Sequence, residues 1–254
     1  MTFFEVVAIL LAGVAAGTIN TVVGSGTLIT FPTLLAFGVP PVTANVSNTI
    51  GLVPGSISGA IAYRRELRGQ RSRVRRLAVA SLVGGTAGAV LLLVLPEGAF
   101  EAIVPALILL GLVLVVLQPR ISAWVARRHE AAGGTPHHGT WWVWPGVMAT
   151  GVYGGYFGAA QGVLLMAVLG TGIDEALQRL NAVKNVLAAI VNAVAGLIFV
   201  VVAEVDWWVV LLIGVGSVLG GQLGGLVGRR LPPLGLRIAI VLVGTVALAA
   251  FLLG

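Results

Sequence analysis

LVGGTAGAVLLLVLP at 82–96 returns as VLGGQLGGLVGRRLP at 218–232, matching Gly84, Gly85, Gly88, Leu95 and Pro96 with Gly220, Gly221, Gly224, Leu231 and Pro232 at a constant spacing of 136. The repeat extends upstream. GTINTVVGSG at 17–26 matches GVYGGYFGAA at 151–160 at a spacing of 134, and NTIGLVPGSISG at 48–59 matches NVLAAIVNAVAG at 185–196 at 137. The drifting spacing is that of a duplicated chain with short insertions, and duplication in so apolar a chain points to an internally repeated transporter.

Apolar residues make up 58% of the 254, charged residues only 9%, and mean hydropathy is +1.04, whereas a soluble domain carries roughly a quarter charged residues. Uncharged runs at 77–96, 102–119, 207–228 and 238–254 are long enough for helices of about 20 residues that cross a bilayer. The chain therefore reads as an all-α polytopic protein of the cell membrane. It has no cysteine, which excludes disulfides and thiol metal sites. MTFFEVVAILLAGVAAG lacks a basic leader, so it reads as a first membrane segment rather than a cleaved signal.

Loop charges orient the two halves. RRELRGQRSRVRR at 64–76 holds seven Arg against one Glu, which places it in the cytoplasm, while its counterpart AEVDW at 203–207 is acidic. PEGAFE at 96–101 is acidic where GRRLPPLGLR at 228–237 is basic. Equivalent loops fall on opposite sides, as in inverted-topology repeats with both termini outside. The basic loop reads as a lipid-contacting stop-transfer element; nothing motif-like accompanies its Arg, so no nucleic acid is expected.

Ten segments follow, near 3–22, 26–38, 44–63, 76–95 and 99–118, then 141–157, 160–171, 180–203, 206–228 and 233–253. The first repeat is 1–118, a cytoplasmic linker occupies 119–140, and the second repeat is 141–254. The second segment of each half, near 24–37 and 158–171, is too short for the ~30 Å hydrocarbon core and reads as broken or re-entrant. Glycines precede both: Gly24 and Gly26, then Gly158 and Gly162. Paired interruptions of this kind mark transport sites, although glycines also serve close helix crossings. His129, His137 and His138 sit in the linker, where solvation accounts for them better than metal or proton sensing.

Lys184 is the sole lysine, inside LNAVKNVLAAIVNAVAGLIFVVVA. A lysine in the membrane interior costs about 2.5–3.5 kcal/mol on insertion scales, and no carboxylate falls mid-segment to offset it. Either a bound anion compensates it or its side chain reaches the interface. Polar residues recur around it in both halves: Asn45 and Asn48 against Asn181 and Asn185, with Ser25 and Thr27 at the first break and Gln161 at the second. Asn at a helix start is also an ordinary N-cap. Together with helix N-termini, the set suits a small anion. It offers no nucleophile, acid or metal cluster, so no enzyme and no cofactor is expected.

GTINTVVGSGTLITFPTLLAFGVPPVTANVSNTIGLVPGSISGAIAY at 17–63 resembles the TauE/SafE family of sulfite and organosulfonate exporters, and 151–200 is similar to that family's weaker second repeat. Gly24-Ser25-Gly26-Thr27 stands where many relatives run several glycines together. The resemblance implies export of a small sulfur oxyanion such as sulfite or sulfoacetate. A permease or channel for another small anion or metabolite, or a non-transporting membrane scaffold, remain the alternatives, and a homodimer is compatible with the sequence.

Overall fold

The structure is a computed structural model that describes residues 1–131, 139–227 and 233–253. Ten helices follow one another: α1 (Phe3–Val22), α2 (Thr27–Ala36), α3 (Pro41–Ala62), α4 (Arg71–Val94), α5 (Glu97–Ala131), α6 (Val143–Tyr156), α7 (Gln161–Gly172), α8 (Leu177–Val202), α9 (Trp207–Val227) and α10 (Pro233–Leu253). All ten expected segments are helical. Two bounds differ most: α5 runs on through Pro119 into the linker, and α4 starts at Arg71, so about half of the basic loop is helix. His137 and His138, the side chain of His129, and Arg229 and Arg230 lie outside the described residues.

The chain is inside-out by soluble standards. Val94, Val201 and Leu226 are about three-quarters exposed or more, whereas Asn45, Ser47 and Lys184 are wholly buried. Backbone groups in lipid must be satisfied internally, so apolar side chains face outward and polar ones collect in the bundle. Among the described residues, five helices, α1, α4, α5, α8 and α9, are long and apolar enough to cross a membrane, and α2 and α7 are shorter apolar helices. This is a multi-pass membrane protein. Trp141, Trp207 and Trp208 are exposed at helix starts, where aromatic belts sit. Glu5 belongs to the local structure of α1: its carboxylate accepts from Thr2 N–H while Thr2 Oγ1 accepts from Glu5 N–H, a capping box.

The helix contacts repeat as the sequence does. α1 packs mainly on α9 and α6 on α4; α3 and α8 cross each other and bridge the two pairs, while α5 and α10 lean together beside α7 and α2. A Cβ on Gly84 or Gly88 would come within 2.2 and 2.1 Å of the Met148 and Val152 carbonyl oxygens. On Gly220 or Gly224 it would meet the carbonyls of Val14 and Thr18 at 2.0 and 2.8 Å. One glycine-lined crossing is thus built twice, and its small residues let backbones meet without the hydrophobic drive that lipid removes.

The basic segment is more than a solvated loop. Arg73 is buried at the start of α4 and its guanidinium reaches Glu175 at 3.1 Å, in the turn between α7 and α8; Arg179 binds the same carboxylate at 2.9 Å. Gln70 accepts from Arg73 and donates to the Arg179 carbonyl at 3.2 Å. Burial alone would raise the Glu175 pKa, but the Arg73 hydrogen bond and the two guanidinium charges outweigh it and hold the carboxyl below the usual range. This lock ties α4 to the α7–α8 turn at the end of the bundle that carries the arginines.

Candidate functional site

The two helix breaks meet. α1 stops at Val22 and Gly24 turns with φ +91°; α6 stops at Tyr156 and Gly158 turns with φ +75°. Both angles lie where glycine is favoured. Gly162 N–H donates to the Gly24 carbonyl at 3.0 Å. A Cβ on either Gly24 or Gly162 would come within 2.4 Å of the other's Cα, so backbone touches backbone between the halves. Phe157 closes the second break from behind, edge-on to Phe31 of α2 at 5.1 Å and near Phe100 of α5 at 6.1 Å.

A broken helix leaves its last carbonyls without intrahelical donors. At the end of α1, Val23 and Gly24 both donate to Ile19, so the Asn20 and Thr21 carbonyls point onward. α8 supplies what they lack: Lys184 Nζ donates to Asn20 O at 2.9 Å and Thr21 O at 3.3 Å, while Asn181 and Asn185 Nδ2 reach Thr21 O at 3.2 and 3.3 Å. Spacings of three and four put these three donors on one helix face. The other break mirrors this, because Asn45 Nδ2 of α3 donates to the Tyr156 carbonyl at 2.9 Å. Each broken helix is capped by an amide from the other half.

Beside the α1 end lies a cavity of about 30 Å³, lined by Asn20, Thr21, Gly24, Thr27, Ser56, Gly158, Gln161, Gly162, Lys184, Asn185, Ala188 and Asn192. That is room for about two waters. Among the described residues no carboxylate lines it. Gln161 is buried against Gly154, whose missing Cβ makes the space, and its Nε2 has no partner. Asn192 Nδ2 donates to Ser56 Oγ at 3.1 Å where α8 crosses α3. The lining therefore offers an ammonium, an unused amide N–H and several amide and hydroxyl dipoles.

Of the residues expected from sequence, Thr27, Gln161, Lys184 and Asn185 come together with Gly24, Gly158 and Gly162. Ser25, Asn45, Asn48, Asn181 and Gly26 do not line this cavity. Asn48 accepts from Thr30 Oγ1 at 2.5 Å and braces α2. Gly26 N–H caps onto Asn20 Oδ1 at 2.7 Å. Ser25 Oγ is buried without a partner, and Asn181 lines a larger neighbouring cavity. Of the two readings of Lys184, a side chain that reaches out of the bundle does not fit its complete burial, and carbonyls ending α1 supply its hydrogen-bond partners. Asn20, Thr21, Ser56, Ala188 and Asn192 join the lining unforeseen; for Asn20 and Asn192 an amide inside an apolar helix was a usable signal.

The family model for "Sulfite exporter TauE/SafE" matches residues 9–251. The chain is 28% identical over 224 residues to "Probable membrane transporter protein ORF9" of Sinorhizobium sp., covering 88% of this chain and 83% of that one. It is 27% identical over 217 residues to "Probable membrane transporter protein YfcA" of Escherichia coli K12, covering 82% and 75%. A "Probable membrane transporter protein" of Haemophilus influenzae is 23% identical over 215 residues, covering 84% and 80%. No solved structure gives a significant match.

Proposed function

The chain belongs to the sulfite exporter TauE/SafE family of membrane transporters, and we propose that it exports a small sulfur oxyanion, such as sulfite, sulfoacetate or a related sulfonate, through the cavity beside Lys184. The observation that carries this reading is the environment of that lysine. Carbonyl oxygens satisfy hydrogen bonds of the ammonium but leave its charge, since a dipole is not a counter-ion. No carboxylate lines the cavity among the described residues, and Gln161, in the same lining, adds an unpartnered N–H. A small oxyanion would supply both the missing charge and the missing acceptor.

A cavity of about 30 Å³ is too tight for a sulfonate, so the described state is closed around the site. Alternating access then requires the halves to part at a contact that yields readily. The contact of Gly24 with Gly162 is one backbone hydrogen bond without interlocking side chains, which suits a parting of the two helix breaks at the site. With no carboxylate in the lining to relay protons, the membrane potential is the available drive, and outward movement of one negative charge gains about 2.3 kcal/mol per 100 mV.

A purified, reconstituted transporter tests this. Efflux of sulfoacetate that persists with an imposed potential and a collapsed pH gradient supports the reading; efflux that follows the pH gradient alone overturns the potential-driven part, and no efflux of any sulfur oxyanion overturns the substrate class. The two carbonyl bonds of Lys184 favour one other reading, a purely structural staple, in which transport would survive replacement of its charge.

A further inference from the structure

The larger cavity, about 240 Å³, adjoins the small one. The same elements line both, in consecutive stretches: Thr21 then Val22 on α1, Gly162 then Val163 and Met166 on α7, and Lys184 after Gln178 and Asn181 on α8. Ser56 of α3 lines the small cavity and Tyr63, two turns on, lines the large one. α3 and α8 run in opposite senses here, so the two cavities are stacked along the bundle axis. Tyr63 immediately precedes the arginine-rich segment 64–76, which the charge rule assigns to the cytoplasm. Gln178 and Ser122 are exposed at the mouth.

Val22, Val163 and Asn181 line the larger cavity, each next to or one turn from a residue that lines the small one. Asn181 is 7% exposed, its Nδ2 is spent on the Thr21 carbonyl and its Oδ1 is buried without a partner. The amide is oriented by chemistry, because a carbonyl can only take the N–H end. We infer that the larger cavity is a cytoplasmic antechamber in which an organic oxyanion waits with its uncharged body against Val163 and Met166, and that Asn181 is the gate to Lys184. Swinging Asn181 costs a single neutral hydrogen bond, because Lys184 and Asn185 still donate to the Thr21 carbonyl, and the buried Oδ1 stands ready to take a new donor once it moves. Among the described residues no charged side chain lines the antechamber, so it holds the substrate loosely and the charge-bearing step comes after the gate. This rests on the sulfur oxyanion reading for its ligand but not for its geometry.

The absence of native cysteine makes a sided test clean. Met166→Cys, and as a second, near-isosteric variant Ser122→Cys, would be exposed in inverted and in right-side-out membrane vesicles to a cationic, impermeant methanethiosulfonate, with and without sulfoacetate. The antechamber predicts modification from the cytoplasmic face only, slowed by sulfoacetate, and it predicts that Asn181→Ala raises cytoplasmic modification of Asn192→Cys about tenfold, as loss of one hydrogen bond allows. Modification of Met166→Cys and Ser122→Cys from the outer face, or no gain at Asn192→Cys, overturns it. Sided modification that sulfoacetate leaves unchanged at both Met166→Cys and Asn192→Cys keeps the antechamber and removes the substrate reading; protection at Asn192→Cys with unsided Met166→Cys does the reverse.

Discussion

Lys184 Nζ stands 2.9 Å from the carbonyl oxygen of Asn20, the last turn of a helix that breaks before its glycine, and nothing acidic lines the cavity they share. The ammonium is held by the negative end of a helix dipole, which orients it without neutralising it. A charge so placed is available to a ligand.

Gln161 is the sharpest local probe of that availability. Its Nε2 makes no hydrogen bond in the described state, so Gln161→Leu should leave thermal stability close to wild type. If the N–H serves an anion, sulfoacetate binding should fall about tenfold or more, the scale of one hydrogen bond to a charged group at 1.5–3 kcal/mol. A thermal melt checks the first half of this expectation and calorimetric titration in detergent the second.

The meeting of Gly24 and Gly162 separates two costs. Gly162→Ala adds a Cβ within 2.4 Å of Gly24 Cα, and Gly24→Ala adds the reciprocal clash plus a backbone held at φ +91°. Overpacking costs typically about 1–3 kcal/mol, and the left-handed backbone roughly 1–2 more for a residue with a Cβ. Both variants should melt below wild type, Gly24→Ala lower, in a fluorescence-monitored thermal ramp.

Glu175 links α4 to the α7–α8 turn through Arg73 and Arg179. Its pKa is depressed by folding, so its contribution is fully present above the unfolded carboxyl value and is lost as pH falls through the lower folded value. Glu175→Gln should therefore lower the melting temperature at pH 7, and the gap to wild type should close in acid, below about pH 4. Melting curves across pH 3–7 decide it; a gap that persists in acid would mean the two arginines do not act on the carboxylate.

Sequence carried most of the fold because its signals were local and strong. The repeat, the apolar runs and the paired glycine breaks fixed all ten helices, and the short second segments emerged as α2 and α7. The Lys184 face was legible because a lysine in an apolar run has few explanations. Its partners were not: backbone carbonyls at Asn20 and Thr21 carry no side-chain signature, and only the break after Val22 exposes them. Asn45 and Asn48 read as ligands by their position in the repeat, and the structure gives each a structural partner, Asn45 in the other half and Asn48 in its own. Asn45 caps α6 and Asn48 braces α2, so symmetry in sequence became symmetry of scaffolding. Arg73 escaped for a related reason, since one buried arginine among seven in a row is indistinguishable by charge alone.

Lys184→Met keeps the unbranched stem of the side chain as far as its ε carbon while deleting the ammonium, and so tests the central claim most directly when sulfoacetate binding to the purified protein is titrated against wild type. The account predicts a folded variant whose affinity has fallen at least about tenfold. Undiminished affinity in a folded Lys184→Met protein would contradict it and leave the lysine as a staple for the end of α1.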